Sequence, residues 1–133
     1  MGFLSRLFGK GNVPEFVLPS DDVCTTTESG LKHEVVVEGD GDAPGPFETV
    51  TVHYAGWLTD GTLFDSSYAR GKTISFPLNR MIAGWGEGLQ LMKIGGTSRF
   101  VIPPDLGYGS RGAPPAIGPN ATLVFQVELV GIG

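Results

Sequence analysis

The sequence predicts an α+β domain in which an antiparallel sheet wraps around one short helix. Gly and Pro account for 21 and 10 of the 133 residues, and because they occur throughout the chain, regular elements must be short. Several segments alternate apolar and polar residues with a period of two, which is typical of half-buried strands. A helical period replaces this alternation only after residue 79.

The chain begins with a polar region that carries few signals for regular structure. Residues 12–30 contain Pro14, Pro19 and three consecutive threonines. We therefore interpret residues 1–28 as an N-terminal arm that is flexible or partly ordered. The first strand is predicted over Leu31 to Glu38, where the alternation begins, and a turn region rich in Gly, Asp and Pro follows it.

The clearest strand prediction covers Thr49 to Leu58. Val50, Val52 and Tyr54 fall on one face of this segment, and Thr and His side chains fall on the other. An alternation of this kind places one face against a core and leaves the other nearer to solvent. We expect this strand to be central to the sheet.

A tight turn and two short strands are predicted next. Asp60-Gly61 is a dipeptide that favours a hairpin turn, and extended chain resumes from Thr62 to Asp65. Ile74 and Phe76 fall on one face of a further short strand. Pro77 either ends that strand or confines it to an edge of the sheet, because Pro cannot donate a ladder hydrogen bond.

The helix is predicted from apolar residues that recur every three or four positions. Asn79 is a candidate N-terminal cap for it. Its three glycines each lower intrinsic helix stability by about 1 kcal/mol relative to Ala, so tertiary packing must hold it. The residues of its apolar face are Ile82, Trp85, Leu89 and Met92.

Two strands and a long loop complete the predicted fold. The strands cover Arg99 to Ile102 and Leu123 to Leu129, and the second alternates strictly. The loop between them, Pro103 to Asn120, is rich in Gly and Pro. Loops of this length inside a compact domain are usually functional.

Composition excludes several classes of function. A net charge of −5 and an isoelectric point near 4.8 argue against nucleic acid as a partner, because a phosphate backbone requires a basic face. Cys24 is the only cysteine, so the chain has no internal disulfide framework. Two distant histidines and one cysteine suggest neither a metal site nor a nucleophile–base pair.

The first eleven residues mix Phe and Leu with Arg6 and Lys10. Their apolar run is too short and too interrupted for a signal peptide or a spanning helix. A weak amphipathic contact with a membrane or a partner is one interpretation, and a frayed terminus is the one we favour. From the missing signal peptide we expect a cytoplasmic location.

Five segments place large apolar side chains beside Gly or Pro, each with an isolated polar group nearby. This combination is typical of an apolar pocket with a few oriented hydrogen-bonding groups. A chemistry that needs a dry, shaped site, and no nucleophile or metal, fits such a lining. The segments are V-H-Y-A-G-W-L (52–58), L-F-D-S-S (63–67), M-I-A-G-W (81–85), P-P-D-L-G-Y-G (103–109) and G-P-N-A-T-L-V-F (118–125).

Taken in order, these segments resemble the FKBP-type peptidyl-prolyl isomerases, the immunophilins that bind tacrolimus and rapamycin. The resemblance covers residues 29–133, which we take as the isomerase domain. It implies a five- or six-stranded antiparallel half-barrel around a short helix. Four motifs carry it: V-H-Y-A-G-W-L-x-D-G-x-x-F-D-S-S, G-W-x-x-G-L, P-P-x-L-G-Y-G and P-N-A-T-L-V-F-x-V-E-L.

The resemblance also implies the site. Three groups would act on the substrate amide: the Tyr108 hydroxyl and the backbone N–H of Ile82 would bind carbonyls, and Asp65 would lie beside the rotating bond. Trp85 would form the floor of the pocket. The substrate-binding residues implied by position are Tyr54, Phe64, Arg70, Ile74, Phe76, Met81, Trp85, Ile117 and Phe125.

Some positions differ from the small eukaryotic members of that family. Ile74 replaces an aromatic residue, and Ala113 and Ala116 stand where bulkier groups are common. The segment from Phe76 to Trp85 is two residues shorter, a length that resembles bacterial members. We expect these differences to affect macrolide affinity and substrate preference.

The function implied is cis–trans isomerisation of Xaa-Pro bonds in unfolded or flexible chains, without a cofactor or a metal. Proline-containing polypeptides would be the partners, tacrolimus and rapamycin the inhibitors, and the protein a monomer. An alternative is a non-catalytic module that holds proline-containing segments in the same groove. A hydrolase is disfavoured, because no nucleophile–base pair is suggested.

Overall fold

Seven strands form one antiparallel sheet in the computed structural model, which describes residues 13–133. The predicted α+β class is confirmed, and the strand at 49–58 has the predicted bounds. The strands are β1 (Thr25–Thr26), β2 (Lys32–Val37), β3 (Thr49–Leu58), β4 (Leu63–Ser66), β5 (Ile74–Pro77), β6 (Thr97–Ile102) and β7 (Leu123–Ile132).

The sheet is built around its two longest strands, β3 and β7. They pair along their whole length, from Val50 opposite Ile132 to Leu58 opposite Leu123. The strand order is β1-β2-β6-β7-β3-β4, and β5 also pairs with β3. Strands β4 and β5 share one edge of β3, and the two-residue β1 extends the other end of the sheet. These additions give seven strands where five or six were expected.

Within residues 13–133, two short helices and two 3-10 turns accompany the sheet: the helix Ser67–Arg70, the central helix Ala83–Leu89, and the turns Leu78–Arg80 and Pro104–Leu106. The prediction that Asn79 caps the central helix is wrong.

Asn79 lies inside the first 3-10 turn, and the extended Ile82 (φ −57°, ψ 152°) precedes the helix. The turn buries Leu78, whose N–H donates to the Glu48 carbonyl at 3.0 Å. Burial of Leu78 and Trp85 outweighs an N-cap preference of about 1 kcal/mol.

The core lies between the concave face of the sheet and the central helix. Val50 and Val52 are fully buried there, and Tyr54 is 7% exposed, as their shared strand face predicted. On the helix, Trp85, Leu89 and the following Met92 point into the same core. The other buried members are Leu31, Leu78, Phe100, Ile102, Ile117, Leu123, Phe125, Val127 and Leu129.

A second apolar cluster covers the convex face of the sheet. Ala55, Trp57 and Val124 are buried in it, and Val13 and Phe16 pack against them. The Phe16 and Trp57 rings meet edge to face with centroids 5.6 Å apart. The described part of the predicted arm therefore contacts the sheet here, and again where β1 pairs with β2. A domain boundary at residue 29 stays a prediction.

Residues 1–11, which we interpret as a frayed terminus with an amphipathic contact as the alternative, lie outside the described residues. Within residues 13–133, none of the helices combines the length and the apolar character needed to cross a membrane.

The central helix packs so closely on the sheet that two of its glycines, Gly84 and Gly88, have no room for a side chain. A Cβ at Gly84 would lie 2.7 Å from Ile102 Cγ2, whereas one at Gly86 would meet nothing nearer than the Leu78 carbonyl at 3.8 Å. Gly84→Ala should therefore destabilise the protein by about 1–3 kcal/mol through overpacking. Gly86→Ala should stabilise it by up to about 1 kcal/mol, because Ala favours the helix.

Urea unfolding of the two variants and the wild type measures both changes. Equal effects of the two substitutions would contradict the close approach at Gly84.

Candidate functional site

A cavity of about 60 Å³ opens between the central helix and the concave face of β3 and β7. Eight residues line it, and all eight belong to the set predicted for the site. They come from five separate parts of the chain: Tyr54 on β3, Phe64 and Asp65 on β4, Met81, Ile82 and Trp85 at the start of the central helix, Tyr108 in the loop after β6, and Phe125 on β7.

Trp85 forms the floor of this cavity and is only 2% exposed. Its ring meets Tyr54 at 5.2 Å and Phe125 at 5.3 Å, each with an interplanar angle near a right angle (88° and 89°). Phe64 stands edge to face with Phe125 at 5.5 Å and extends the wall. Edge-to-face contacts of this kind add about 0.5–1.5 kcal/mol per pair beyond the buried area, so the floor and walls are rigid.

Gly56 makes this wall possible, and the sequence analysis did not identify it. It lies opposite Phe125 in the β3–β7 pairing. A Cβ at this position would be 2.6 Å from the Phe125 ring and 2.7 Å from the Phe64 ring. A glycine inside a strongly alternating strand was the available signal, since it often marks a close approach.

Asp65 is the only carboxylate of the lining, and two partners hold it. The Tyr54 hydroxyl donates to Oδ2, and Arg70 Nη1 donates to Oδ1 at 2.7 Å. The Ser66 N–H also donates to Oδ1, at 2.9 Å. Hydrogen bonds therefore tie Asp65 to both Tyr54 and Arg70.

This network separates the pKa values of its two weak acids. Burial alone would raise the pKa of Asp65, but the hydrogen bonds from Tyr54 and Arg70 and the guanidinium charge outweigh it and hold that pKa below its usual value. Burial and the hydrogen bond to Asp65 raise the pKa of Tyr54 to about 12. Near neutral pH the carboxylate is charged and the phenol is not.

Ser67 anchors the backbone behind this network and was also missed. Its buried Oγ accepts the Tyr54 N–H at 2.7 Å and lies 2.8 Å from His53 Nδ1. His53 stacks on Tyr68 with ring centroids 4.5 Å apart, on the face of β3 opposite Tyr54. The second serine of the D-S-S motif was the available signal.

Ile82 and Tyr108 occupy the two sides of the cavity mouth. Ile82 precedes the first turn of the central helix, so the helix offers no acceptor to its N–H. Tyr108 follows the 3-10 turn Pro104–Leu106 and is 40% exposed. Gly109, at φ 61°, donates to the Pro104 carbonyl at 2.8 Å and fixes the loop beside Tyr108.

Four predicted residues do not line the cavity. Arg70 reaches it only through Asp65, and Phe76 packs behind the floor, 5.3 Å from the Trp85 ring. Ile74 is 37% exposed on β5, and Ile117 is buried in a bridge with Ala113. Between residues 13 and 133, no cluster of three or more His, Cys, Asp or Glu side chains is arranged to hold a metal ion.

Comparison with known proteins shows which family shares this sequence. Residues 41–130 match the family model for FKBP-type peptidyl-prolyl cis-trans isomerases. The chain is 52% identical over 112 residues to a probable FKBP-type isomerase, FkpA, of Neisseria meningitidis, and the match covers 84% of this chain and 41% of that protein. FK506-binding protein 1 of Dictyostelium discoideum is 52% identical over 103 residues, covering 76% of this chain and 96% of that protein.

Solved structures share the fold. The crystal structure of Escherichia coli FkpA matches with a TM-score of 0.81 at 48% identity, over 85% of this chain and 53% of that one. AtFKBP13 matches with a TM-score of 0.79 at 34% identity, over 83% and 98%. The chain spans about half or less of the length of the bacterial FkpA proteins that it matches. The chain belongs to the family of FKBP-type peptidyl-prolyl cis-trans isomerases.

Proposed function

We propose that this chain accelerates rotation about Xaa-Pro peptide bonds in unfolded or flexible polypeptides. The observation that carries the proposal is the aromatic cavity over Trp85. It brings one charged carboxylate, the N–H at the start of the central helix and the phenols of Tyr54 and Tyr108 to a mostly apolar wall. Pro-containing chains are expected to insert the pyrrolidine ring there. No proton transfer or covalent intermediate is needed.

The obstacle to this reaction is resonance in the amide. Partial double-bond character of the C–N bond gives a barrier of about 18–20 kcal/mol. The cis and trans forms of Xaa-Pro differ by only about 0.5–1 kcal/mol, so a catalyst must change the rate and not the equilibrium. Rotation returns electron density from the carbonyl oxygen to the nitrogen, and the twisted amide is less polar than the planar one.

An apolar cavity favours the less polar, twisted form. Water stabilises the planar amide better, so removing water raises the ground state relative to the rotated state. The Asp65 carboxylate adds to this effect, because a nearby negative charge repels the planar carbonyl oxygen more than the rotated one. Hydrogen bonds from Ile82 N–H and the Tyr108 hydroxyl to flanking carbonyls hold the chain in a turn close to the twisted geometry.

The energy required is within reach of such a site. A millionfold acceleration needs about 8 kcal/mol of differential stabilisation, at about 1.36 kcal/mol for each factor of ten. Desolvation, electrostatic repulsion and one or two hydrogen bonds, each contributing a few kcal/mol or less, can supply that sum.

The location, the oligomeric state and the individual partners of the chain stay predictions. We propose a cytoplasmic monomer that acts on many proline-containing chains and is inhibited by tacrolimus and rapamycin. The Dictyostelium relative is named FK506-binding protein 1, and FK506 is tacrolimus, which supports the proposal that tacrolimus inhibits this chain. Ultracentrifugation and cell fractionation test the monomeric state and the location.

Exchange NMR on four-residue Xaa-Pro peptides tests the activity directly. We expect cross-peaks between the cis and trans forms to appear at catalytic concentrations of the protein and to disappear when tacrolimus is added. Folding must be checked first by near-ultraviolet circular dichroism. A well-folded protein with exchange no faster than buffer would instead identify a non-catalytic proline-binding module.

Tyr108→Phe should lose only part of the activity. The substitution removes one hydrogen bond worth about 0.5–1.5 kcal/mol net, so kcat/KM should fall about tenfold or less. Tyr68→Phe is the matched control, since the Tyr68 hydroxyl donates to Glu128 at 3.3 Å on the other face of the sheet. Complete loss of activity in a folded Tyr108→Phe protein would contradict the mechanism, as would an equal effect of Tyr68→Phe.

The activity should be independent of pH between about 5 and 9. The pKa of Asp65 lies below its usual value near 3.9, and the pKa of Tyr54 is raised to about 12, so neither group titrates in that range. A depressed carboxylate pKa stabilises the folded state above the unfolded pKa, and that contribution is lost as pH falls through the folded pKa. Activity and stability should therefore decline together only below about pH 4.

The pH profile of kcat/KM on a four-residue peptide measures the activity, and thermal unfolding at each pH measures the stability. A bell-shaped profile centred near neutrality would indicate an acid–base step and contradict the proposal.

A further inference from the structure

A second concave region lies beside the catalytic cavity, against the outer side of the central helix. It is an open groove of about 530 Å³ whose walls are mostly apolar. Phe47 and Pro46 form one wall, and Leu91 closes the far end. The helix backbone forms the base at Gly86, where no side chain fills the space. Apart from Met81, none of the residues that line this groove lines the cavity of the proposed function.

Phe47 is exposed to an unusual degree and is nevertheless firmly held. Its side chain is 77% exposed. It lies in a turn closed by two hydrogen bonds: the Gly45 N–H donates to Glu48 Oε1 at 2.8 Å, and the Glu48 N–H donates to the Gly45 carbonyl at 3.3 Å. The Glu48 carbonyl also accepts the Leu78 N–H, which ties the turn to the segment before the central helix. A large apolar side chain presented on a fixed turn indicates a contact surface.

The groove continues the catalytic cavity and is not a separate depression. Met81 lines both, so a chain that leaves the cavity past Met81 enters the groove directly. At the other end, Leu91 also lines a small cleft with Val35 and Val37 of β2. These three side chains are 48%, 48% and 50% exposed. A path of apolar side chains therefore continues from Trp85 through Met81 to Leu91, and Glu38 and Lys93 also line the cleft beyond Leu91.

We propose that this groove binds the part of the substrate chain that flanks the proline, and that it selects segments with a bulky apolar residue there. The inference rests on the proposed isomerase activity and deepens it. The occupant is an extended polypeptide: continuity at Met81 places it in the same chain as the proline, and the apolar walls favour Leu, Ile, Phe or Met.

The length of the path sets the position of that residue. The helix Ala83–Leu89 rises about 9 Å, at about 1.5 Å per residue, and Ile82 and Leu91 lie beyond its two ends. Extended chain covers the helical part in about three residues, at about 3.3 Å each. The preferred apolar residue should therefore lie about three to five positions from the proline.

The negative charge at the groove further restricts the substrate segments that it can bind. Glu87 lines the groove and the chain carries a net charge of −5, so acidic flanking segments are disfavoured. Glu87 Oε1 accepts a hydrogen bond from Ser29 at 2.5 Å, which keeps the carboxylate at the groove wall. Neutral or basic segments with an apolar anchor are the expected class.

Two peptide lengths separate this inference from the isomerase activity itself. Exchange NMR would give kcat/KM for a four-residue Xaa-Pro peptide and for a set of twelve-residue peptides. The longer peptides carry either Leu or Ser four positions from the proline, placed before the proline in one pair of peptides and after it in another. We expect the wild type to prefer the Leu peptide over the Ser peptide about tenfold on one side, the low end of what an apolar contact provides. Phe47→Ser and Leu91→Ser should each reduce that preference to less than about threefold while leaving the rate on the four-residue peptide unchanged.

Val23→Ser is the matched control, because Val23 is 53% exposed and lies outside the groove. Val23→Ser should change neither the rate on the four-residue peptide nor the preference for the Leu peptide over the Ser peptide.

No preference for Leu on either side in the wild type would overturn the groove assignment and leave the isomerase activity intact. Equal losses on the short and long peptides in Phe47→Ser would also overturn it, because Phe47 would then act on the cavity. A wild-type protein that is inactive on the short peptide would overturn both the isomerase activity and the groove assignment. Sedimentation that shows a wild-type dimer dissociated by Phe47→Ser would assign this surface to a second copy of the chain and overturn the substrate groove.

Discussion

Burial of the Trp85 ring between the central helix and the sheet is the constraint on which the rest of this structure depends. Tyr54, Phe76 and Phe125 all meet that ring at centroid distances of 5.2 or 5.3 Å. A seven-residue helix with three glycines has little stability alone, so these contacts determine where it lies. The same contacts form the floor and a wall of the cavity, which joins the folding of the helix to the formation of the site.

The polar part of the site depends on this apolar frame. Tyr54 faces the core through its ring and reaches Asp65 through its hydroxyl, while Arg70 balances the carboxylate from the solvent side. The arrangement keeps one negative charge at an apolar wall without leaving it unpaired, which would be costly. A site of this kind can act on an amide through its environment alone. Among residues 13–133, no cluster of three or more His, Cys, Asp or Glu side chains is arranged to hold a metal ion, and the proposed function requires none.

The frame also explains how a small cavity could serve a long substrate. The cavity itself has room for a single ring, and its mouth at Met81 leads to a wider apolar groove. The Phe47 turn and the central helix both attach to the segment around Leu78, so cavity and groove are held by the same short stretch of chain. Recognition of flanking residues and isomerisation would then share one rigid support.

The sequence by itself determined the elements whose signal is local. Alternation that begins at Thr49 marked β3 with its correct bounds, and the resemblance carried by the ordered motifs implied all eight residues that line the cavity.

Only the tertiary structure decided the features that depend on contacts between distant segments. Asn79 does not cap the helix because burial of Leu78 outweighs a weak local preference, and Phe76 lies behind the floor because its contact is with Trp85. The need for glycine at position 56 arises from two rings that approach it from other strands. Periodicity reports which face a residue occupies, whereas the distance between two faces is set only when the whole core packs together.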